Sequence, residues 1–200
     1  MLSFRKVLTA YSFIMMGFVH LGWAQKTIIF ERYANTWATG EDHKFDNKQV
    51  AAEQLPKALK AQTGQINLLI PQSDAFVKQE NGNAYIKLYL INRTAEVLSV
   101  PREDATVGGV TSEVYVDGKW KLFQTKIGAS CGNSYWTVSL KSNHYIYLEI
   151  ENPIRQGSQQ VPYRVRFKTA THDVVSNPIN ITITPELLAL AGTEIPSISE

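Results

Sequence analysis

The sequence predicts an all-β protein built as an antiparallel sandwich, and three segments near its C-terminal end carry this prediction. The segments are YIYLEIE (145–151), PYRVRFK (162–168) and VVSNPINITI (174–183). Apolar side chains alternate along each of them; Ile146, Leu148 and Ile150, for example, share one face of the first. Successive side chains of a strand point to opposite faces, so this alternation indicates strands with one buried face.

The composition is that of an ordinary globular protein. Of the 200 residues, 44% are hydrophobic, which is enough for a packed core. The chain carries 20 basic and 18 acidic residues, and two of the basic ones, Arg5 and Lys6, lie in an N-terminal leader without acidic residues. Without that leader the balance is 18 against 18, or zero net charge. We therefore expect no nucleic-acid partner and no anionic membrane surface as partner.

Residues 1–24 have the layout of a secretory signal peptide. The basic pair near the start is followed by a mostly apolar run over residues 7–21. Gly22 and Ala24 place small residues at the two positions that a signal peptidase reads. Cleavage is therefore expected between Ala24 and Gln25.

The alternative for this leader is an uncleaved membrane anchor. The apolar run has 15 residues and contains His20, whereas a spanning helix needs roughly 20 apolar residues. We therefore expect a secreted or periplasmic protein with no membrane span after signal removal. The chain has one cysteine, Cys131, so no intrachain disulfide is available in that compartment.

Residues 25–65 are interpreted as a short, partly helical N-terminal extension. Residues 26–30 (KTIIF) form a β-like run, either a first strand or an arm that adds to a sheet edge. The pattern QVAAEQL over residues 49–55 predicts a short helix, with Asp46 as its cap and Gln49 three residues later.

Residues 66–183 are interpreted as the sandwich itself. Further strands are predicted within 66–70, 75–92, 96–100, 111–125 and 134–141, so the total reaches eight or nine short strands. Asp117 and Gly118 lie between two alternating arms, which is the signature of a two-residue type I′ hairpin turn. Residues 184–200 form a C-terminal tail, in which ELLALAG predicts one or two helical turns that end at Gly192.

An immunoglobulin-like arrangement suits this strand pattern best. The connection over residues 153–161 has a length that favours a crossing between sheets over a tight hairpin. Tyr163 stands at the start of the penultimate strand, where such folds often place a corner-forming tyrosine. The Cys…Trp…Cys pattern of antibody domains is absent, because the chain has a single cysteine.

Several local motifs also resemble a known group of domains. They are the ending YRVRFKTATHDVVSNPINITI, an upstream INRT turn, the DGKW hairpin and a CG pair before the next strand. Together they resemble the Ig-like β-sandwich domains of uncharacterised bacterial secreted and cell-envelope proteins, over about residues 66–183. The resemblance implies a fold and a compartment, and it carries over no catalytic residue.

Two groups of residues are weighed as chemical sites. Cys131 would need a base such as His144 or His172 to act as a nucleophile, and no local signature of a cysteine hydrolase accompanies it. The alternatives are that Cys131 is a buried thiol, or that it is exposed and forms a disulfide between two copies of the chain. The carboxylates and imidazole of Glu41, Asp42, His43 and Asp46 have no recognised metal-ligand spacing. No metal, cofactor or catalytic residue is therefore predicted.

Four tyrosines form the candidate binding surface: Tyr85, Tyr89, Tyr145 and Tyr147, all opposite the apolar stripes of their strands. Exposed aromatic side chains can mark a sugar-binding or protein-binding patch. A covering layer formed by residues 26–62 is favoured instead, because part of this long segment must pack somewhere. The stripe of Arg164, Arg166 and Lys168 is expected to pair with opposite charges on neighbouring strands.

The preferred functional hypothesis is a secreted, non-catalytic binding or structural module of the cell envelope. Its partner would be an envelope protein or a glycan, bound by end loops or by an exposed sheet edge through strand addition. One alternative is a small secreted hydrolase that uses Cys131 with a histidine. Another is an inhibitor or accessory subunit that presents residues 101–110 or 126–134 to a partner enzyme. Fold class alone does not choose among them.

Overall fold

Strands dominate the computed structural model, which describes residues 31–38, 48–78, 84–128, 132–151 and 157–196. In chain order the strands are β1 (Thr36–Ala38), β2 (Val50–Ala51), β3 (Ile66–Leu69), β4 (Phe76–Lys78), β5 (Ala84–Asn92), β6 (Leu98–Glu103), β7 (Thr106–Val107), β8 (Val110–Val116), β9 (Lys119–Gln124), β10 (Tyr135–Leu140), β11 (His144–Glu151), β12 (Gln159–Lys168), β13 (Asp173–Val175) and β14 (Ile179–Ile183). A helix, α1 (Pro185–Ala189), and 3₁₀ turns at Ala52–Gln54 and Gly132–Ser134 complete the described elements. The prediction of an all-β protein is confirmed.

The strands form two antiparallel sheets. The larger one has the order β10-β6-β7-β1-β11-β5-β3, with β2 also paired to β11 and β4 also paired to β5. The smaller one has the order β13-β12-β8-β9, with β14 also paired to β12. Long-range pairing therefore holds the chain together, since β5 and β11 lie side by side although more than fifty residues separate them in sequence.

The core lies between the two sheets and follows the predicted alternation. Ile86, Leu88 and Leu90 on β5 contribute one wall, and Val165 and Phe167 on β12 contribute to the other. These five side chains are buried, and full burial of one such side chain stabilises the fold by about 1.5–3 kcal/mol. The other face of β12 carries polar side chains such as Arg164 and Arg166. On β5 and β11 the other face carries Ile91 and tyrosines, and these form a second, smaller buried cluster with Ala52.

Two local predictions are confirmed. The β8–β9 hairpin turns at Asp117 and Gly118 with φ angles of 53° and 75°, as a type I′ turn requires. Helix α1 lies within the predicted segment, and the Thr184 hydroxyl caps it by accepting a hydrogen bond from the Leu187 N–H at 3.2 Å. Gly192 follows with a φ of 83°, a conformation that favours glycine after a helix.

The helix predicted over residues 49–55 was wrong. Val50 and Ala51 form β2 and pair with Tyr145 and His144 of β11, and a 3₁₀ turn of three residues follows. A helix of seven residues is marginal by itself, whereas β2 gains sheet hydrogen bonds and places Ala52 against Tyr145. Strands that precede residue 66 thus belong to the larger sheet.

Candidate functional site

A groove of about 670 Å³ opens between the two sheets at one side of the molecule. One wall is β3 with the loop of residues 60–65 before it, and the other wall is β13 with its neighbours, within residues 171–177. We call this space the edge groove. Its volume lies in the range of about 300–1,000 Å³ that is common for ligand sites.

The wall formed by β3 is an open strand edge. The Arg93 N–H donates to the Gln65 carbonyl at 3.1 Å, and bonds to a neighbouring antiparallel strand recur at every second residue. The backbone groups of Ile66 and Leu68 therefore point away from β5 and into the groove. No other described strand pairs with this edge. Because both side chains are buried in the core, these residues present their peptide groups to the groove.

The wall formed by β13 is a second open edge. The Ser176 N–H donates to the Val165 carbonyl at 2.8 Å, so the same alternation turns the backbone groups of Asp173 and Val175 away from β12. Within the described ranges, β13 ends the smaller sheet just as β3 ends the larger one. Two strand edges from different sheets thus border one space. Several Cα atoms of β3 and β13 lie within 8 Å of each other, so the space between these two strands is narrower than the roughly 9.6 Å that an inserted strand needs.

Asn177 closes the groove at one end. Its side-chain carbonyl accepts from the Ile70 N–H at 2.9 Å, and its side-chain amide donates to the Ile70 carbonyl at 2.8 Å. The side chain thereby satisfies the Ile70 peptide groups as a paired strand would. Since Ile70 follows β3 and Asn177 follows β13, both strands run toward this closed end.

A buried asparagine fixes the loop at the other end. The Asn67 side chain accepts from the Gln62 N–H at 2.8 Å and donates to the carbonyls of Gln62 and Gln65 at 2.9 and 3.1 Å. These bonds hold the loop that carries Lys60 against the start of β3. The backbone at this end of the edge groove is therefore well defined.

The charged side chains that line the edge groove differ in whether they form ion pairs. Asp173 forms ion pairs with the Arg166 Nη1 at 2.6 Å and the Lys168 Nζ at 4.0 Å. Lys60 lines the groove, is exposed, and has no ion-pair partner among the residues that the structure describes. His172 also lines it, and its Nδ1 lies 2.8 Å from the Thr171 hydroxyl.

The four predicted surface tyrosines share one face of the larger sheet, but they are not an open patch. Tyr145 is only 8% exposed, while Tyr85, Tyr89 and Tyr147 are half-buried. The Tyr89 ring lies 5.7 Å from that of Tyr145 and 5.2 Å from that of Tyr147. Burial raises the pKa of Tyr89, Tyr145 and Tyr147 above the ordinary value. Ala52, a residue of the N-terminal extension, packs against this group.

The arginine stripe on β12 pairs with its neighbours as the sequence predicts. The Glu113 carboxylate accepts from the Arg164 Nε at 2.6 Å and from the Arg166 Nε at 3.1 Å. The Arg164 guanidinium also lies over the Trp120 ring, 4.2 Å from its centroid. The outer face of the smaller sheet is therefore charged, and its arginines are already paired with Glu113 or stacked on Trp120.

Several predicted residues lie outside the described residues. They are Cys131, the cleavage pair Ala24 and Gln25, and the acidic group Glu41, Asp42, His43 and Asp46. The two histidines proposed as bases for Cys131 lie on different sheets, His144 in β11 and His172 just before β13. The described part of the chain holds no group of three or more His, Cys, Asp or Glu residues that could bind a metal ion.

Sequence reasoning missed the edge groove. The Asn177-Pro178 dipeptide is a turn signal, and it marks the end of β13 in the sequence. Nothing in the sequence pairs Asn177 with Ile70, which lies 107 residues earlier. Lys60 had no feature that separated it from other loop lysines.

The edge of β13 can bind a chain with backbone groups of its own, because the peptide groups of Asp173 and Val175 point away from β12. Comparisons with known proteins found no matching family model, curated protein or solved structure. No described helix has the length and apolar character needed to cross a membrane.

Proposed function

We propose that this protein is a non-catalytic binding module that captures an extended polypeptide segment as a strand added to the open edge of β13, at the mouth of the edge groove. The open edge of β13, which ends the smaller sheet in the described part of the chain, carries this proposal. An extended chain presents alternating N–H and C=O groups at the spacing of a strand, so it satisfies such edges better than a compact ligand does. Main-chain bonds supply affinity in this mode, and neighbouring side chains supply selectivity.

The compartment and fold family belong to the same proposal. The leader over residues 1–24 supports secretion or a periplasmic location, and the resemblance of residues 66–183 supports an Ig-like module of a bacterial cell envelope. The two antiparallel sheets are compatible with that family. The captured segment would then belong to another envelope protein.

An enzyme-inhibitor role for residues 101–110 gains no support from the described contacts. Residues 101–103 lie in β6, and Thr106 and Val107 form β7, so most of this stretch is sheet. Arg102 is 2% exposed, and its Nε donates to the Thr106 carbonyl at 2.9 Å. A segment held in this way does not protrude as a presented loop.

The test is a selection with a displayed library of random octapeptides, followed by calorimetric titration of the enriched peptides. Val175→Pro removes an N–H that points into the groove, yet it breaks no bond to β12 and Val174 keeps the extended backbone that precedes a proline. We expect Val175→Pro to weaken binding about tenfold, which corresponds to about 1.4 kcal/mol.

Val175→Ala is the matched control, because it shortens the same 39% exposed side chain and keeps the N–H. It should change affinity by less than about twofold, since an exposed side chain contributes little to the bound state. Thermal unfolding establishes that both variants fold. An empty selection, or peptides that bind Val175→Pro as well as wild type, would contradict the proposed function.

A further inference from the structure

A row of ring side chains crosses the outer face of the smaller sheet. Tyr115 on β8 lies opposite Trp120 on β9, and their rings meet edge to face with centroids 5.3 Å apart. On β12, Tyr163 is opposite Val114, so the next position of the register brings Pro162 beside Tyr115. Tyr115 is 41% exposed, while Trp120 and Pro162 are half-buried. We call these three residues the ring row.

The Arg164 guanidinium is held beside the ring row in one orientation. Its Nε donates to the Glu113 carboxylate at 2.6 Å, and its Cζ lies 4.2 Å from the centroid of the Trp120 ring. Among the described residues, its two Nη groups have no acceptor. A guanidinium fixed in this way can offer its remaining N–H groups to a carboxylate without losing further side-chain freedom.

The charge of the smaller sheet favours an anion. Its strands and the β8–β9 turn carry five cations and three carboxylates, a net charge of +2: Lys119, Lys121, Arg164, Arg166 and Lys168 against Glu113, Asp117 and Asp173. The strands of the larger sheet carry three of each: Lys78, Lys87 and Arg102 against Glu103, Glu149 and Glu151. Each of the three carboxylates of the smaller sheet is already in an ion pair with a cation of the same sheet.

A ligand on this face must be held by side chains. Both β8 and β12 have neighbouring strands on each side, so their backbone groups are used within the sheet. An extended peptide draws its affinity from main-chain hydrogen bonds, which the middle of a sheet does not offer. A sugar ring can instead lie on an exposed aromatic ring, and the carboxylate of an acidic sugar can reach a guanidinium beside it.

From these contacts we propose that the outer face of the smaller sheet binds an acidic polysaccharide. One sugar ring packs on Tyr115, and its carboxylate accepts hydrogen bonds from the Arg164 Nη groups. This site is separate from strand addition at β13 and does not depend on it. A neutral sugar lacks the ion pair, and an acidic peptide lacks the ring that packs on Tyr115.

The experiment is calorimetric titration of the protein with tetrasaccharides of galacturonic, mannuronic and guluronic acid, and with their neutral methyl esters. At least one acid should bind about threefold to fivefold more tightly than its ester, because the ester removes the charge that pairs with Arg164. Hexaglutamate, which carries carboxylates without sugar rings, should bind more weakly. No binding of any acid at millimolar concentration, or hexaglutamate binding as tight as that of the best sugar, would overturn the proposal.

Two matched pairs of variants locate the site. Tyr115→Ser should weaken binding of the best acid about fivefold to tenfold, because it removes the packed ring. Tyr135→Ser makes the same change at an exposed tyrosine of the larger sheet and should stay within about twofold of wild type. Since Tyr115 is exposed, its variant should fold, and unchanged affinity in Tyr115→Ser would sink the proposal.

The second pair is Arg164→Gln and Lys168→Gln, which each remove one positive charge from β12. Lys168 is exposed and lies four residues beyond Arg164, away from the ring row. Arg164→Gln should lose the preference for the acid over its ester, whereas Lys168→Gln should keep it; thermal unfolding checks that both fold. An equal loss in the two variants would mean general charge attraction and would contradict a site at Arg164.

Discussion

The Asn177 side chain should contribute measurably to the stability of the whole fold, and Asn177→Ala tests this. The variant deletes the hydrogen bonds of 2.9 and 2.8 Å to the N–H and the carbonyl of Ile70. Each such bond contributes about 0.5–1.5 kcal/mol net. Ile70 is 1% exposed, so its two peptide groups also lose their partner in a largely buried position.

An unpaired buried peptide group costs about 1–3 kcal/mol, but this penalty will not apply in full. Asn177 is itself half-buried, and water can reach part of the space that its side chain leaves. We therefore expect Asn177→Ala to lower the free energy of unfolding by about 2 kcal/mol. The edge groove should lengthen at its closed end, and peptide capture should persist.

The assay is urea unfolding followed by circular dichroism, with Asn180→Ala as the control. Asn180 is an exposed asparagine on β14, three residues away in the same chain segment. Its replacement should change stability by less than about 0.5 kcal/mol, as expected for an ordinary surface site. A loss below about 0.5 kcal/mol in Asn177→Ala would refute the idea that this side chain substitutes for a strand.

Two further predictions concern the backbone and the buried tyrosines. Gly109 has a φ of 71°, and a Cβ added there would overlap the Lys168 carbonyl. Gly109→Ala should therefore lower the free energy of unfolding by more than the roughly 1–2 kcal/mol that a positive φ alone costs a residue with a Cβ. The control is Gly118→Ala, where φ is 75° and the space is open, and urea unfolding of both variants compares the two costs. Burial raises the pKa of Tyr147 and Tyr163 above the ordinary tyrosine value of about 10. Because the pKa of these tyrosines is higher in the folded than in the unfolded state, their burial stabilises the fold fully at pH values below the unfolded pKa. This stabilisation is lost as pH rises from the unfolded pKa toward the folded pKa, so the free energy of unfolding should fall above about pH 10. Alkaline unfolding should coincide with tyrosinate absorbance and be shallower in Tyr163→Phe; ionisation of every tyrosine before unfolding would contradict this.

Tyr163 shows where a sequence signature reached its limit. Its position at the start of a strand suggested a corner tyrosine, whose hydroxyl bonds to backbone nearby. In the structure the side chain is fully buried and packs at 6.5 Å, edge to face, against the Phe123 ring. Within the described residues the side chain near its hydroxyl is that of Ser112, and the hydroxyl forms no hydrogen bond to the backbone. Burial was predictable from the alternating pattern, whereas the environment of a single hydroxyl was not.

The segment over residues 49–55 shows the same limit for secondary structure. Its helical pattern is local, but Val50 and Ala51 pair with β11, almost a hundred residues later. Intrinsic helix preference amounts to tenths of a kcal/mol per residue, so sheet pairing and burial against Tyr145 override it. The hairpin at Asp117 and Gly118 succeeded because everything that it needs lies within a few residues.

The sequence by itself determined that this protein is all-β, where most strands run and which strand faces form the core between the two sheets. Those properties follow from a period-2 pattern and from turn residues that act over short distances. Only the tertiary structure decided which strand edges stay open, because an edge is open or closed according to partners far away in sequence. Asn177 and Ile70 meet across 107 residues, and their contact places the open edges of β3 and β13 side by side.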